Sequence, residues 1–213
     1  MPFVNLIINY HGAKALRSFR EYNEIAFYTL VELLLPRENY LSEMQLVKDY
    51  KKNTPRYGFI DVFVCEYYGF KSVVLELKCF SVLGLYNGKM GTWKEGIIDW
   101  ESLKNLDEEL KTEPEDVLMG RNYMYYSKDN RKYKLTTVRN IIDDGLKQIR
   151  GYINIASKGE FRQNKIGIWD ERIEIEDGDG FLDGYLIVSL GSGRILTSTI
   201  DFKKINYRFL MKK

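Results

Sequence analysis

Histidine, cysteine and proline are scarce: the 213 residues include one His, two Cys and four Pro. With His11 as the sole histidine, a His-rich zinc site is excluded, and no Ser-His-Asp triad can form without it. Cys65 and Cys79 lie inside apolar runs and read as buried free thiols, not as a disulfide framework. No acceptable Asn-x-Ser/Thr sequon occurs. No apolar run reaches the roughly 18 residues a membrane span needs. Met1 to Tyr10 lacks a basic n-region and a cleavage site, so it reads as mature protein and not as a signal peptide. These absences point to an intracellular protein, cytoplasmic or nuclear. Internal repeats, low-complexity tracts and Pro- or Gly-rich linkers are also missing. A single domain over 1–213 is therefore expected, and 45% hydrophobic residues suffice for one sizeable core.

Net charge is only +2, but the charge is unevenly spread. Residues 98–119 hold eight acids against Lys104 and Lys111, and residues 171–184 hold six acids against Arg172. The rest of the chain then has 16 acids and 29 basic residues, a net +13. A basic body with two acidic segments suits a polyanionic partner. The acidic segment is also a surface that a protein partner could use.

Ser18-Phe-Arg-Glu21 has capping-box spacing, and apolar residues recur from Tyr22 to Leu34, so a helix is expected there, closed by Pro36. Leu41 to Tyr50 reads as a strand and Lys51 to Pro55 as a turn. Phe59–Tyr68 and Lys71–Phe80 are rich in β-branched and aromatic residues and are joined by a short Gly-containing link, which predicts a β-hairpin. Gly84, Gly88 and Gly91 read as turns. Asp99 to Lys111 reads as an acidic helix, and 114–135 follows no clear period. A second amphipathic helix is predicted over Thr137 to Ser157. Strands are expected over 165–176, 181–190 and 195–202, separated by Asp-Gly and Ser-Gly turns. This order implies an α/β or α+β domain around a mixed sheet.

Side chains alternate along a strand, so Glu76 and Lys78 face the same way. They interrupt an apolar run, and Asp61 interrupts the neighbouring one. Buried charges are costly unless paired or bound to metal. Two carboxylates offer hard oxygen ligands for Mg²⁺, and a lysine beside them adds positive charge near an attacking water. That set is chemically sufficient for phosphodiester hydrolysis.

Asp61, fourteen residues, then Glu76-x-Lys78 resembles the PD-(D/E)XK nucleases. The resemblance implies a restriction-endonuclease-like αβββαβ core, here with extra C-terminal strands and an insertion at about 81–136. It implies Mg²⁺ or Mn²⁺ held by Asp61, Glu76, the Leu77 carbonyl and Glu24, with Lys78 assisting the water. Gln148-Ile-Arg-Gly-Tyr152 resembles the Gln-x-x-x-Tyr motif of the RecB-like branch, which implies that Gln148 and Tyr152 contact the site or substrate. Their four-residue spacing puts both on one helical face. Ile60 stands where the motif has proline. The implied activity is metal-dependent cleavage of nucleic acid, DNA ahead of RNA. The alternative is a nuclease-like module that binds nucleic acid or a protein partner without cutting, as in an effector or toxin payload.

Other signals carry less. Gly84 to Lys89 has one residue too few for a phosphate loop, and Met90 stands where Ser or Thr would bind Mg²⁺. Asp177, Asp179 and Asp183 miss the calcium-loop pattern and read as hairpin-turn residues. Tyr123, Tyr125, Tyr126 and Tyr133, near Arg121, Lys128, Arg131 and Lys132, form either a base-stacking surface or an ordinary packed cluster.

Overall fold

The computed structural model describes residues 24–35, 39–51, 54–65, 71–92, 100–127, 130–162 and 165–212. The expectations for Met1 to Tyr10, His11, the Ser18–Glu21 capping box, Pro36, Asp99 and Lys128 lie outside these residues. The fold is mixed α/β. The element order is α1 (Glu24–Leu34), β1 (Tyr40–Lys51), β2 (Thr54–Val64), β3 (Lys71–Phe80), α2 (Val82–Met90), α3 (Trp100–Thr112), α4 (Glu115–Gly120), β4 (Asn122–Ser127), β5 (Lys132–Thr137), α5 (Val138–Ala156), β6 (Gly167–Ile168), β7 (Ile173–Leu190) and β8 (Arg194–Met211). No helix among the described residues is long and apolar enough to cross a membrane.

The chain divides into two compact units. One comprises residues up to Leu34, Leu77–Asp144 and Val188–Leu196, and the other Leu35–Glu76, Gly145–Ile187 and Thr197–Lys213. The second unit holds most of a six-stranded sheet in the order β6-β1-β2-β3-β7-β8. β1 pairs antiparallel with β2 from Tyr40↔Val64 to Lys51↔Thr54, so Pro55, expected in a turn, lies in a strand. β2 and β3 form the expected hairpin, with Val62↔Leu75 and Val64↔Val73 in register. Their interior is apolar: Ile60, Val62, Phe63, Val74 and Leu77 are all fully buried. Phe63 packs edge-on against Phe209 of β8, ring centres 5.0 Å apart.

The C-terminal half of α5 covers this sheet through Gly184. A Cβ at Gly184 would stand 2.6 Å from Ile149 Cγ2 and 2.7 Å from Ile153 Cδ1, so helix and strand approach more closely than any larger residue allows. The Asp177-Gly-Asp-Gly180 stretch is a correction. It is not a turn but the interior of an 18-residue strand. Gly180 is buried, and a Cβ there would meet the Tyr207 carbonyl oxygen at 2.3 Å, so β7 uses glycine to press against β8. Asp179 and Asp183 point to Lys204 (3.4 Å) and Lys71 (4.0 Å), partners the chain supplies from flanking strands. The strand expected over 165–176 is also corrected: it breaks after Ile168, where Asp170 accepts from the Arg172 backbone N–H at 3.0 Å and closes a turn.

The first unit holds the insertion. The glycines read as turns form helix α2, because Ser81 caps it by accepting from Gly84 N–H at 3.1 Å. Gly84 and Gly88 then share one face, four residues apart. A Cβ on either would meet the β4 segment within 2.3 Å, at the Tyr123 ring or the Asn122 carbonyl oxygen. Gly91, at φ 70°, does end the helix. The acidic helix is present as α3, burying Leu106 and Leu110. Its acids are largely engaged: Arg121 binds Glu113 at 2.5 Å and Glu109 at 2.6 Å, and Asp107 accepts from Ser192 N–H at 2.8 Å. Arg194 donates to the carbonyls of Leu110 (3.0 Å) and Glu113, satisfying the C-terminal end of α3. Residues 122–137 form the β4–β5 hairpin. Its Tyr123 packs on Phe80 at 4.8 Å, and its Tyr126 and Tyr133 remain partly exposed.

Candidate active site

Extending the β2–β3 register by one step sets Asp61 opposite Glu76. Glu76 is fully buried with its Oε2 atom sealed from solvent, between Leu75 and Leu77, which are buried as well. Asp61 is half-buried. Gln148 and Tyr152, one helical turn apart on α5, are joined directly: Gln148 Nε2 donates to Tyr152 Oη at 2.7 Å. Tyr152 is only 3% exposed, so its hydroxyl sits in a place from which water is mostly excluded. Burial, opposed by the Gln148 hydrogen bond and reinforced by the charges of Glu76, Asp61 and Glu43, pushes its pKa up to about 12. Gln148 and Tyr152 are thus brought together, and the charges of Asp61 and Glu76 bear on the hydroxyl that the helix motif holds.

Two residues that the sequence reading did not single out join them. Lys48 donates to Tyr152 Oη at 3.3 Å, and its ammonium lies 4.7 Å from the centre of the same ring. Burial pulls the Lys48 ammonium below the ordinary lysine value, while Glu76 pushes it back up and Arg56 lowers it further. Glu43 adopts a left-handed backbone, φ 53°, between the ladder pairs Ser42↔Val62 and Met44↔Ile60, level with Asp61. Such a conformation is disfavoured for a residue with a long side chain. Arg172 supports it by donating to the Ser42 carbonyl at 3.2 Å and the Glu43 carbonyl at 3.4 Å, while itself gripped by Asp170 at 2.7 Å. No local sequence signal marks Lys48, because Gly58, which its stem crosses, lies just before the strand pattern that begins at Phe59.

Lys78 is half-buried, two residues beyond Glu76 on β3 and therefore on the same side of that strand. Leu77 buries its side chain between them. Glu24 opens α1, and its side chain lies outside the described residues. Cys65 is buried and Cys79 half-buried, both as free thiols. Arg121, once a candidate phosphate contact, is committed to Glu109 and Glu113.

Among the described residues no three His, Cys, Asp or Glu side chains stand together as a metal cage. Two carboxylates on neighbouring strands, Asp61 and Glu76, fit a cation such as Mg²⁺, which takes few carboxylates and keeps several waters. Two open clefts in the sheet-bearing unit, of about 490 and 690 Å³, are lined by residues from 158–177, Tyr207 and Lys212 and contain none of the site residues. No protein-family model, no curated protein and no solved structure matches the chain.

Proposed function

We propose that this protein is a metal-dependent nuclease that hydrolyses phosphodiester bonds of nucleic acid, DNA ahead of RNA. The observation that carries the reading is the sealed Glu76 carboxylate, set opposite Asp61 by the hairpin register, with the hydrogen-bonded Gln148–Tyr152 pair within the field of both. The element order, helix, three strands, insertion, helix and strands, accords with the restriction-endonuclease-like core that the motif resemblance implies.

Asp61, Glu76 and the Leu77 carbonyl would hold Mg²⁺ or Mn²⁺, with Glu24 as the further ligand of the family pattern. Such an ion supplies Lewis-acid polarisation of the phosphoryl oxygen and acidifies the attacking water. Lys78 orients that water and offsets negative charge developing at phosphorus. Tyr152 has a different part. Its hydroxyl accepts from Gln148 and Lys48, which leaves its own proton as a donor. With a pKa near 12 the group stays protonated throughout the neutral range and can hydrogen-bond a non-bridging phosphate oxygen.

Purified protein incubated with plasmid, single-stranded DNA and RNA in Mg²⁺ or Mn²⁺ tests this. Wild type should cut at least one substrate, EDTA should stop it, and Glu76→Ala and Lys78→Ala should each be slower by about 100-fold or more. Absence of cutting on every substrate with either metal, or variants that cut at the wild-type rate, would refute the assignment.

A further inference from the structure

We propose that Lys48 is a substrate-contacting residue whose ammonium, carried across Gly58 by a bulge in β1, binds a backbone phosphate of the nucleic acid entering beside Tyr152. The inference rests on the nuclease reading and adds a binding residue outside its motifs.

The β1–β2 ladder runs regularly to Val47↔Tyr57 and resumes at Asp49↔Arg56. Lys48 is therefore the extra residue of a β-bulge, a feature that breaks the alternation and re-aims one side chain. The redirected stem passes over Gly58. A Cβ at Gly58 would stand 1.7 Å from Lys48 Cε, 2.7 Å from its Cδ and 2.6 Å from its Nζ, so only glycine leaves the path open. Bulge and glycine together place a long cationic side chain where neither strand's ordinary register would.

The ammonium has three donor hydrogens. Its hydrogen bond among the described residues goes to Tyr152 Oη, and the residue remains exposed, leaving donors turned to solvent. A lysine kept only to neutralise Glu76 would gain most by burial against that carboxylate. Lys48 instead stops at the rim, with Arg56 near enough to repel it electrostatically. Like charges that repel across a short stretch of surface are relieved when an anion binds beside them. A phosphodiester has the right charge, and a chain of them would lead from this rim to the Tyr152 hydroxyl.

Equilibrium binding of fluorescein-labelled single-stranded DNA and RNA, measured by anisotropy across a salt series in EDTA and in Ca²⁺, separates the possibilities. With wild type binding, Lys48→Met should weaken affinity by about 5- to 10-fold at low salt and reduce the steepness of log K against log salt by about 0.7, the amount expected for one lost phosphate contact on a single strand. Gly58→Ala should reproduce that loss by displacing the stem, and the double variant should bind no worse than Lys48→Met alone. If Lys48→Met keeps the wild-type affinity and slope, or Gly58→Ala binds like wild type, the inference is wrong while the nuclease reading stands. If wild type binds neither nucleic acid under either condition, the nuclease reading fails and the inference falls with it.

Discussion

Replacing Glu76 with glutamine should make the protein more stable while removing the proposed activity. The side chain is 0% exposed, on a strand whose neighbours Leu75 and Leu77 are 2% and 0% exposed. Bringing a carboxylate to such a place costs several kcal/mol even after relaxation. Lys48 and Tyr152 return part of that cost through their charge and dipole, but Lys48 is exposed and stays hydrated if the carboxylate is removed. Glutamine keeps the shape and one acceptor oxygen, and exchanges the charge and the second oxygen for a neutral NH₂ donor. The expected balance is a gain of about 1–3 kcal/mol for Glu76→Gln, by analogy with buried ion pairs replaced by uncharged residues of similar volume. For a chain of this length, each kcal/mol raises the melting temperature by roughly 2–4 °C. Calorimetric melting and urea titration at pH 7 read the shift, and isothermal titration with Mg²⁺ reads the accompanying loss of metal binding. A Glu76→Gln protein less stable than wild type by 1 kcal/mol or more would show that the carboxylate anchors the fold, and the argument from its burial to chemistry would collapse.

Two further predictions concern the frame around the site. Gly180→Ala should cost about 3 kcal/mol, because its new methyl meets the rigid Tyr207 carbonyl at 2.3 Å, whereas Gly58→Ala should cost under about 1 kcal/mol, because the flexible Lys48 stem can move aside; urea midpoints of the two variants check the contrast. Arg172→Met should destabilise by about 1–2 kcal/mol at pH 7, by removing a charged hydrogen-bond pair and the support of Glu43. Burial opposes ionisation of Asp170, yet hydrogen bonds from the Arg172 side chain and backbone and from Gln45 N–H hold its carboxyl below the usual range. The stability it contributes is therefore full above the unfolded carboxyl value of about 3.9 and is lost as pH falls through the lower folded one, so the gap between variant and wild type should close below about pH 4. A gap that is constant from pH 7 to pH 3 would contradict the assignment.

The parts of the fold written in local pattern were readable. Alternating β-branched runs marked the β2–β3 hairpin, and a 3.6-residue period marked α5. The spacing of Gln148 and Tyr152 placed them on one helical face, where they do hydrogen-bond. What failed were glycines. Gly84 and Gly88 read as turns because nothing local says that β4 lies against them, and Gly178 and Gly180 read as a turn because nothing local says that β8 does. A glycine that serves a distant backbone looks the same in sequence as one that serves a bend. Lys48 and Glu43 were hidden for a related reason. Their roles come from a bulge and a left-handed residue inside a strand, departures from the very alternation used to read it.

Glu43 has one more consequence. Where backbone geometry alone decides a left-handed position, glycine or asparagine is the comfortable occupant. This chain keeps a glutamate there, its carbonyl braced by Arg172 and its charge bearing on the Tyr152 hydroxyl. The side chain has outvoted the main chain. Position 43 should then act as a gauge across related sequences: an acid should persist there in those that keep the proposed chemistry, and drift toward glycine or asparagine should accompany its loss.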